Sequence, residues 1–256
     1  MMWVFAIGSI LRGAAAPARA DTVADAFPPP DESARVSAND WGEYVRHLPL
    51  KPAGARVHTY DGQVVEMPAA RVVDLPLGKR DLQQCADSAL RLRATFLRAS
   101  GVSPAFHYTS GWLSRWESWA AGTRPVVRGN TVATREVGRR DASDAAFDAW
   151  LDDLFTYAGT RSLVSDTVPV TEPLPGDLVM FPGSPGHAVV LLDVATQRTQ
   201  SGRTTWVLAG QGYMPAMEFH VVRGPEASWY RVEGEWLATE PLRVPWSGLR
   251  RFKETS

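Results

Sequence analysis

One cysteine, Cys85, occurs in 256 residues. A lone thiol excludes an internal disulfide and a multi-thiolate metal centre, leaving either a small buried apolar side chain or a reactive group. The five histidines show no ligand spacing. Folding could bring His187, His220 and Glu218 together, but no metal and no cofactor is expected. No phosphate loop or dinucleotide fingerprint is present. Gly183-Ser184-Pro185-Gly186 is not a nucleophile elbow, because Pro185 and Gly186 break its order. Charge of one sign is lacking as well: 27 Lys+Arg against 28 Asp+Glu give a net charge of -1, with no dense basic run. That disfavours nucleic acid as a partner. No later segment approaches the ~20 apolar residues a membrane span needs.

What is present reads as a globular chain, 45% hydrophobic and 21% charged. Trp3 to Leu11 is apolar, and small residues follow to Ala18-Arg19-Ala20. Residues 1–20 therefore read as a secretory signal peptide and the protein as exported, periplasmic or secreted, although a basic start is missing and Arg12 interrupts the run. Residues 21–38, with Pro28-Pro29-Pro30, read as a linker. Residues 39–256 are expected to form one α+β domain. Asn39 is placed to cap a short helix, and Asp61-Gly62 suggests a hairpin closed by a primed turn.

Leu82, Cys85, Ala89, Leu92 and Phe96 recur at helical spacing, with Arg91, Arg93 and Arg98 mainly off the stripe. Asp81 and Gln84 fit a capping box that puts Cys85 near the end of the first turn. Trp112, Trp116 and Trp119 suggest another helix, within a Trp-rich helical insert over 106–160, and Ser143 to Ala158 a further one. Strands follow over 177–181, 187–195, 205–209 and 217–222, and residues 225–256 wrap the core. Helices first and an antiparallel meander afterwards point to α+β.

A thiol at a helix start and a histidine opening a buried strand are the parts of a cysteine-nucleophile site. His187 begins the apolar run Ala188 to Leu192 and is the best base among the histidines. It needs an orienting group. Folding the strand pair about residue 200 sets His187 opposite residue 213 and Gln211 within one pair of it. Asp193 is a poorer choice, because six residues along a strand span about 20 Å. The expected catalytic set is Cys85, His187 and Gln211, working as a thiolate–imidazolium pair, with the Cys85 N–H and Gln83 or Gln84 receiving the oxyanion. Gln84, Tyr108, Ser110, Trp112, Gly186 and Tyr213 are candidates to line a substrate cleft. Against this stands the bland alternative that Cys85, on an apolar stripe, is core filler.

Gln84-Cys85, Gly176-Asp177-Leu178 and Gly186-His187-Ala188-Val189-Val190 resemble the papain-like cell-wall hydrolases of the CHAP and NlpC/P60 groups, over about residues 80–222. The resemblance implies a papain-like core, a helix packed on an antiparallel sheet with an N-terminal hairpin. It also implies a thiol-dependent amidase or endopeptidase acting on a peptide or peptidoglycan-like substrate. Ala86-Asp87 departs from the Ser, Gly or Thr that often follows the cysteine there. A longer likeness covers most of 27–253 and is carried by Leu48-Pro49-Leu50-Lys51-Pro52, Asp81 to Asp87, Arg91 to Ala94, Tyr157 to Thr160, Pro185 to Ala188 and Gly212 to Ala216. By it the chain resembles the bacterial domain-of-unknown-function family 4846, which implies no activity but sets Cys85 and His187 inside family motifs. A non-catalytic exported module holding glycan or peptide on the same fold is the alternative.

Overall fold

The structure, a computed structural model, describes residues 21–200 and 202–254. The segment read as a signal peptide lies outside them. Within them the fold is mixed α+β, a mostly antiparallel sheet with a few helices.

At the centre is a long hairpin, His187–Thr199 against Gly202–Gln211. Ala188 to Val194 lie fully inside, so the run is apolar without alternation, as a strand covered on both faces must be. Leu178–Phe181, Leu249–Phe252 and Thr167–Pro169 extend the sheet from the first strand. His220–Val222 and Ala69–Val72 extend it from the second. All these pairings are antiparallel.

The two faces are covered differently. Ala188, Val190, Leu192 and Leu208 belong to the core shared with the helices Asp40–Arg46 and Cys85–Ala99. Val189, Leu191, Val207 and Ala209 pack under the C-terminal segment, against Leu237, Val244 and Leu249. Between Leu191 and Asp193 the register shifts by one residue, a β-bulge. A bulge advances the pleat by one position. Asp193 therefore pairs with Leu208 and turns to the helix side, where Arg35 Nε (2.6 Å) and Arg46 Nε (2.8 Å) bind its carboxylate.

Several expectations need correction. Residues 21–38 are not a free linker. They hold the short helix Val23–Ala26 and the strand Ala34–Arg35, which pairs with the long hairpin, while Trp229 Nε1 donates to Pro28 O at 2.9 Å. Buried Val23 and Phe27 supply apolar contacts that the proline count conceals. The Asp61-Gly62 turn is not primed, because Gly62 alone there has positive φ (85°). A type I′ turn needs both central residues in that region. The insert is only partly helical: Ala105–His107 pairs with Leu113–Arg115, Trp116–Ala121 is a short helix, and Thr123–Arg128 pairs with Thr131–Glu136. Residues 225–256 do more than wrap, since Leu249–Phe252 enters the sheet between Leu178–Phe181 and Thr167–Pro169. Arg91 and Arg93, expected to face away, are buried.

Candidate functional site

The helix Cys85–Ala99 starts at the thiol itself. Gln84 is the N-cap, and its N–H donates to Asp87 Oδ2 at 3.1 Å. Cys85 thus occupies the first helical position, not the end of the first turn. The capping carboxylate is three residues after Gln84, while Asp81 is occupied elsewhere, accepting from Ala216 N at 2.7 Å. Gly212 lets this end of the helix sit tightly on the sheet, since a Cβ there would overlap the Ser88 hydroxyl.

Cys85 borders a cleft of about 350 Å³ with Gln84, Asp87, Thr160, Ser184 and Met214. Its thiol pKa is raised, first by burial; the backbone N–H of Ala188 faces the sulfur and opposes the rise, and the Asp87 charge adds to it. A helix N-terminus favours the anion, yet desolvation outweighs it here. Asp87 is buried deeper still. Its pKa is pushed up to about 8 by burial, and Oδ1 has no hydrogen-bond partner.

His187 is 1% exposed and begins its strand opposite Phe181. Its Nε2 is 2.8 Å from Gln211 Oε1, and Gln211 Nε2 donates to Glu240 O at 2.8 Å. The second bond fixes which way the amide points. Oε1 must accept, so Nε2 of His187 carries the proton and Nδ1 keeps its lone pair. Gln211 reaches His187 because it pairs near Val189, two residues along, with its side chain on the same face. Burial lowers the His187 pKa, with Gln211 acting weakly the other way. Both shifts favour a neutral thiol and a neutral imidazole at rest over the expected ion pair.

Among the described residues no hydrogen bond joins sulfur to imidazole. The thiol helix packs on the Ala188 side of the strand, whereas His187 projects with Val189, so the two groups approach the strand's end from opposite faces. Tyr213 borders both. Its ring meets the His187 ring edge-on at 5.5 Å, and the Cys85 charge helps raise its pKa, after burial.

The remaining expected residues divide. Gln84 lines the cleft, and its amide donates to Asp81 Oδ1 at 3.3 Å. Gly186 lines it too, but the space of its missing Cβ is taken by the Thr160 hydroxyl and by backbone, not left for a ligand. Tyr108, Ser110 and Trp112 lie elsewhere. Tyr108 is core, bonded to Asp153 and 4.9 Å from the Trp112 ring, because the insert folds as a hairpin instead of lying along the cleft. Gln83 is engaged by Pro76 O and Arg91, which leaves it unable to serve an oxyanion. One buried neighbour, weighed from the sequence only as a metal ligand, adjoins the clamp instead. His220 pairs with Gln211 across the strands, and its Nε2 has no partner. Burial and His187 lower its pKa.

With the geometry in hand, the family described as "Domain of unknown function (4846)" matches residues 23–251. The chain belongs to this family. No curated protein and no solved structure matches.

Proposed function

We propose that the protein is a thiol-dependent hydrolase of papain-like type, exported, that cleaves an amide or ester bond in cell-wall peptides. The observation that carries the proposal is the clamped imidazole: Gln211 holds Nε2 of His187 at 2.8 Å and leaves Nδ1 as a base at the strand end where the next amide, that of Ala188, faces the Cys85 sulfur. Support also comes from the cleft beside the thiol and, for export, from the apolar stretch ending at Ala18-Arg19-Ala20.

The sulfur leaves its resting place at the Ala188 N–H and attacks the carbonyl carbon, while its proton passes to His187 Nδ1. The Cys85 N–H, at the free first position of the helix, and the Gln84 amide receive the oxyanion. The tetrahedral adduct collapses as the carbon–nitrogen or carbon–oxygen bond breaks, and His187 returns its proton to the leaving group. Water, deprotonated by the same nitrogen, then cleaves the thioester. Because both groups are neutral at rest, the base acts during attack instead of storing a thiolate beforehand. Catalytic contacts commonly tighten only when substrate is bound.

Incubation with purified cell-wall fragments and detection of new amine termini tests the proposal. Wild type should release them, and Cys85→Ala should lose turnover by about 10⁴-fold or more while keeping its fold. An active Cys85→Ala variant ends the proposal. Binding of fragments with no release by wild type favours the non-catalytic binding module instead.

A further inference from the structure

Among the described residues three arginines are buried, and two of them are engaged by acids. Arg46, 6% exposed, binds Asp193, Glu43 and the Val36 carbonyl. Arg91, 5% exposed, binds Gln83 and Asp148. Arg93 is 8% exposed and, among the described residues, makes no hydrogen bond or ion pair. A guanidinium has five N–H donors in a planar fork. What holds Arg93 is aromatic: its Cζ lies 5.2 Å from the Trp41 ring centre, 5.4 Å from that of Phe96 and 5.6 Å from that of Phe252. These rings attract the cation and fix its plane, but they accept none of its hydrogen bonds in the ring plane.

The side chain borders a cavity of about 230 Å³ on the outer side of the helix, away from the thiol cleft. Arg115 and Lys253 line the same cavity, and neither has an ion-pair partner among the described residues. Asp166, also in the wall, is already met by His107, through Nδ1 at 2.6 Å and through the backbone N–H at 3.0 Å. Glu254 is the other acid in the wall and acts on Arg93 only through its charge. Leu97, Phe106 and Leu113 make the rest of the wall apolar. Burial lowers the Arg93 pKa to about 10, against the Glu254 charge, which leaves it a cation at neutral pH.

We propose that this cavity binds a carboxylate carried on an apolar stem, with the carboxylate on the Arg93 guanidinium, Arg115 and Lys253 beside it, and the stem against Leu97, Phe106 and Leu113. A planar carboxylate matches the guanidinium fork in two parallel bonds. The apolar wall gives a bare phosphate nothing to contact. The site stands independently of any chemistry at Cys85.

The test is calorimetric titration of the whole chain with 3-phenylpropionate, with its neutral amide and with inorganic phosphate. The carboxylate should bind saturably, and the amide and phosphate at least roughly tenfold more weakly, as loss of a charge-assisted bond requires. Arg93→Met should abolish the difference between acid and amide. As Arg93 is buried, that variant's folding is checked by its melting transition, and the exposed-residue variant Arg115→Ala/Lys253→Ala serves in parallel and should weaken the acid severalfold. Glu254→Gln, which removes a competing acid, should tighten it. Equal binding of acid and amide, preference for phosphate, or undiminished binding by the double variant would overturn the assignment.

Discussion

Two buried polar side chains sit on one strand, His187 at its start and Asp193 six positions on, and they behave in opposite ways. Asp193 is met by two guanidinium groups and by the Val194 N–H at 2.8 Å. Among the described residues His187 is met once, on Nε2, with no hydrogen bond to Nδ1. A buried polar group whose bonds are complete holds the fold, while one held in place but left incomplete is available for chemistry. Asp87 and the Nε2 of His220 belong to the second kind, and both lie close to the thiol or to Gln211.

Breaking the complete cluster should show most in stability. Asp193→Ala removes the acid shared by two cations, leaving buried Arg46 with Glu43 alone among acids, and should cost about 3–5 kcal/mol, read as a lower urea midpoint. A loss below 1 kcal/mol would erase the distinction. Breaking the clamp should show mainly in rate. Gln211→Ala frees the imidazole to turn and should lower turnover about 10- to 100-fold, less than the 10²–10⁴ that the base itself contributes. Equal damage to turnover from Asp193→Ala in folded protein would blur the two roles.

Asp87 supplies the smaller, pH-dependent test. Its folded pKa of about 8 stands above the ordinary carboxylate value of 3.8, so between those values the folded chain holds a proton that the unfolded chain has lost. Stability should therefore fall as pH rises from about 4 to about 8. Asp87→Asn removes that slope and should gain about 1–3 kcal/mol near pH 8, as expected when an unmet buried charge is removed. Denaturation midpoints across the range decide it. The same change should lower the pH at which iodoacetamide labels Cys85, since burial first and the Asp87 charge after it raise the thiol. In wild type that labelling should climb only above the ordinary thiol range of about 8.5. Fast labelling near pH 6 would contradict the neutral resting pair.

Much of the site was legible in the chain because local rules governed it. Apolar spacing marks the thiol helix and the helix Asp144–Tyr157, and a turn near residue 200 sets the register that carries Gln211 to His187. Where partners decide, the sequence is silent. Trp112, Trp116 and Trp119 keep helical spacing, yet only Trp116–Ala121 is helical, because Leu113–Arg115 finds a strand partner in Ala105–His107. Thr123–Arg128 and Thr131–Glu136 are half-exposed or exposed on both faces, so no apolar alternation announces them. The relative placement of thiol and imidazole depends on which face the helix covers, which no spacing within either segment encodes.

The bulge in the long strand has a consequence for how this chain can vary. Strict alternation would aim Asp193 the same way as His187 and would take from Arg46 the buried one of its two acids. The bulge keeps the structural ion cluster and the imidazole on opposite sides of a shared backbone. Deleting Leu192 would close the bulge and set Asp193 directly after Leu191, still opposite Leu208 and still on the helix side, so the ion cluster keeps its acid while the core loses a buried leucine.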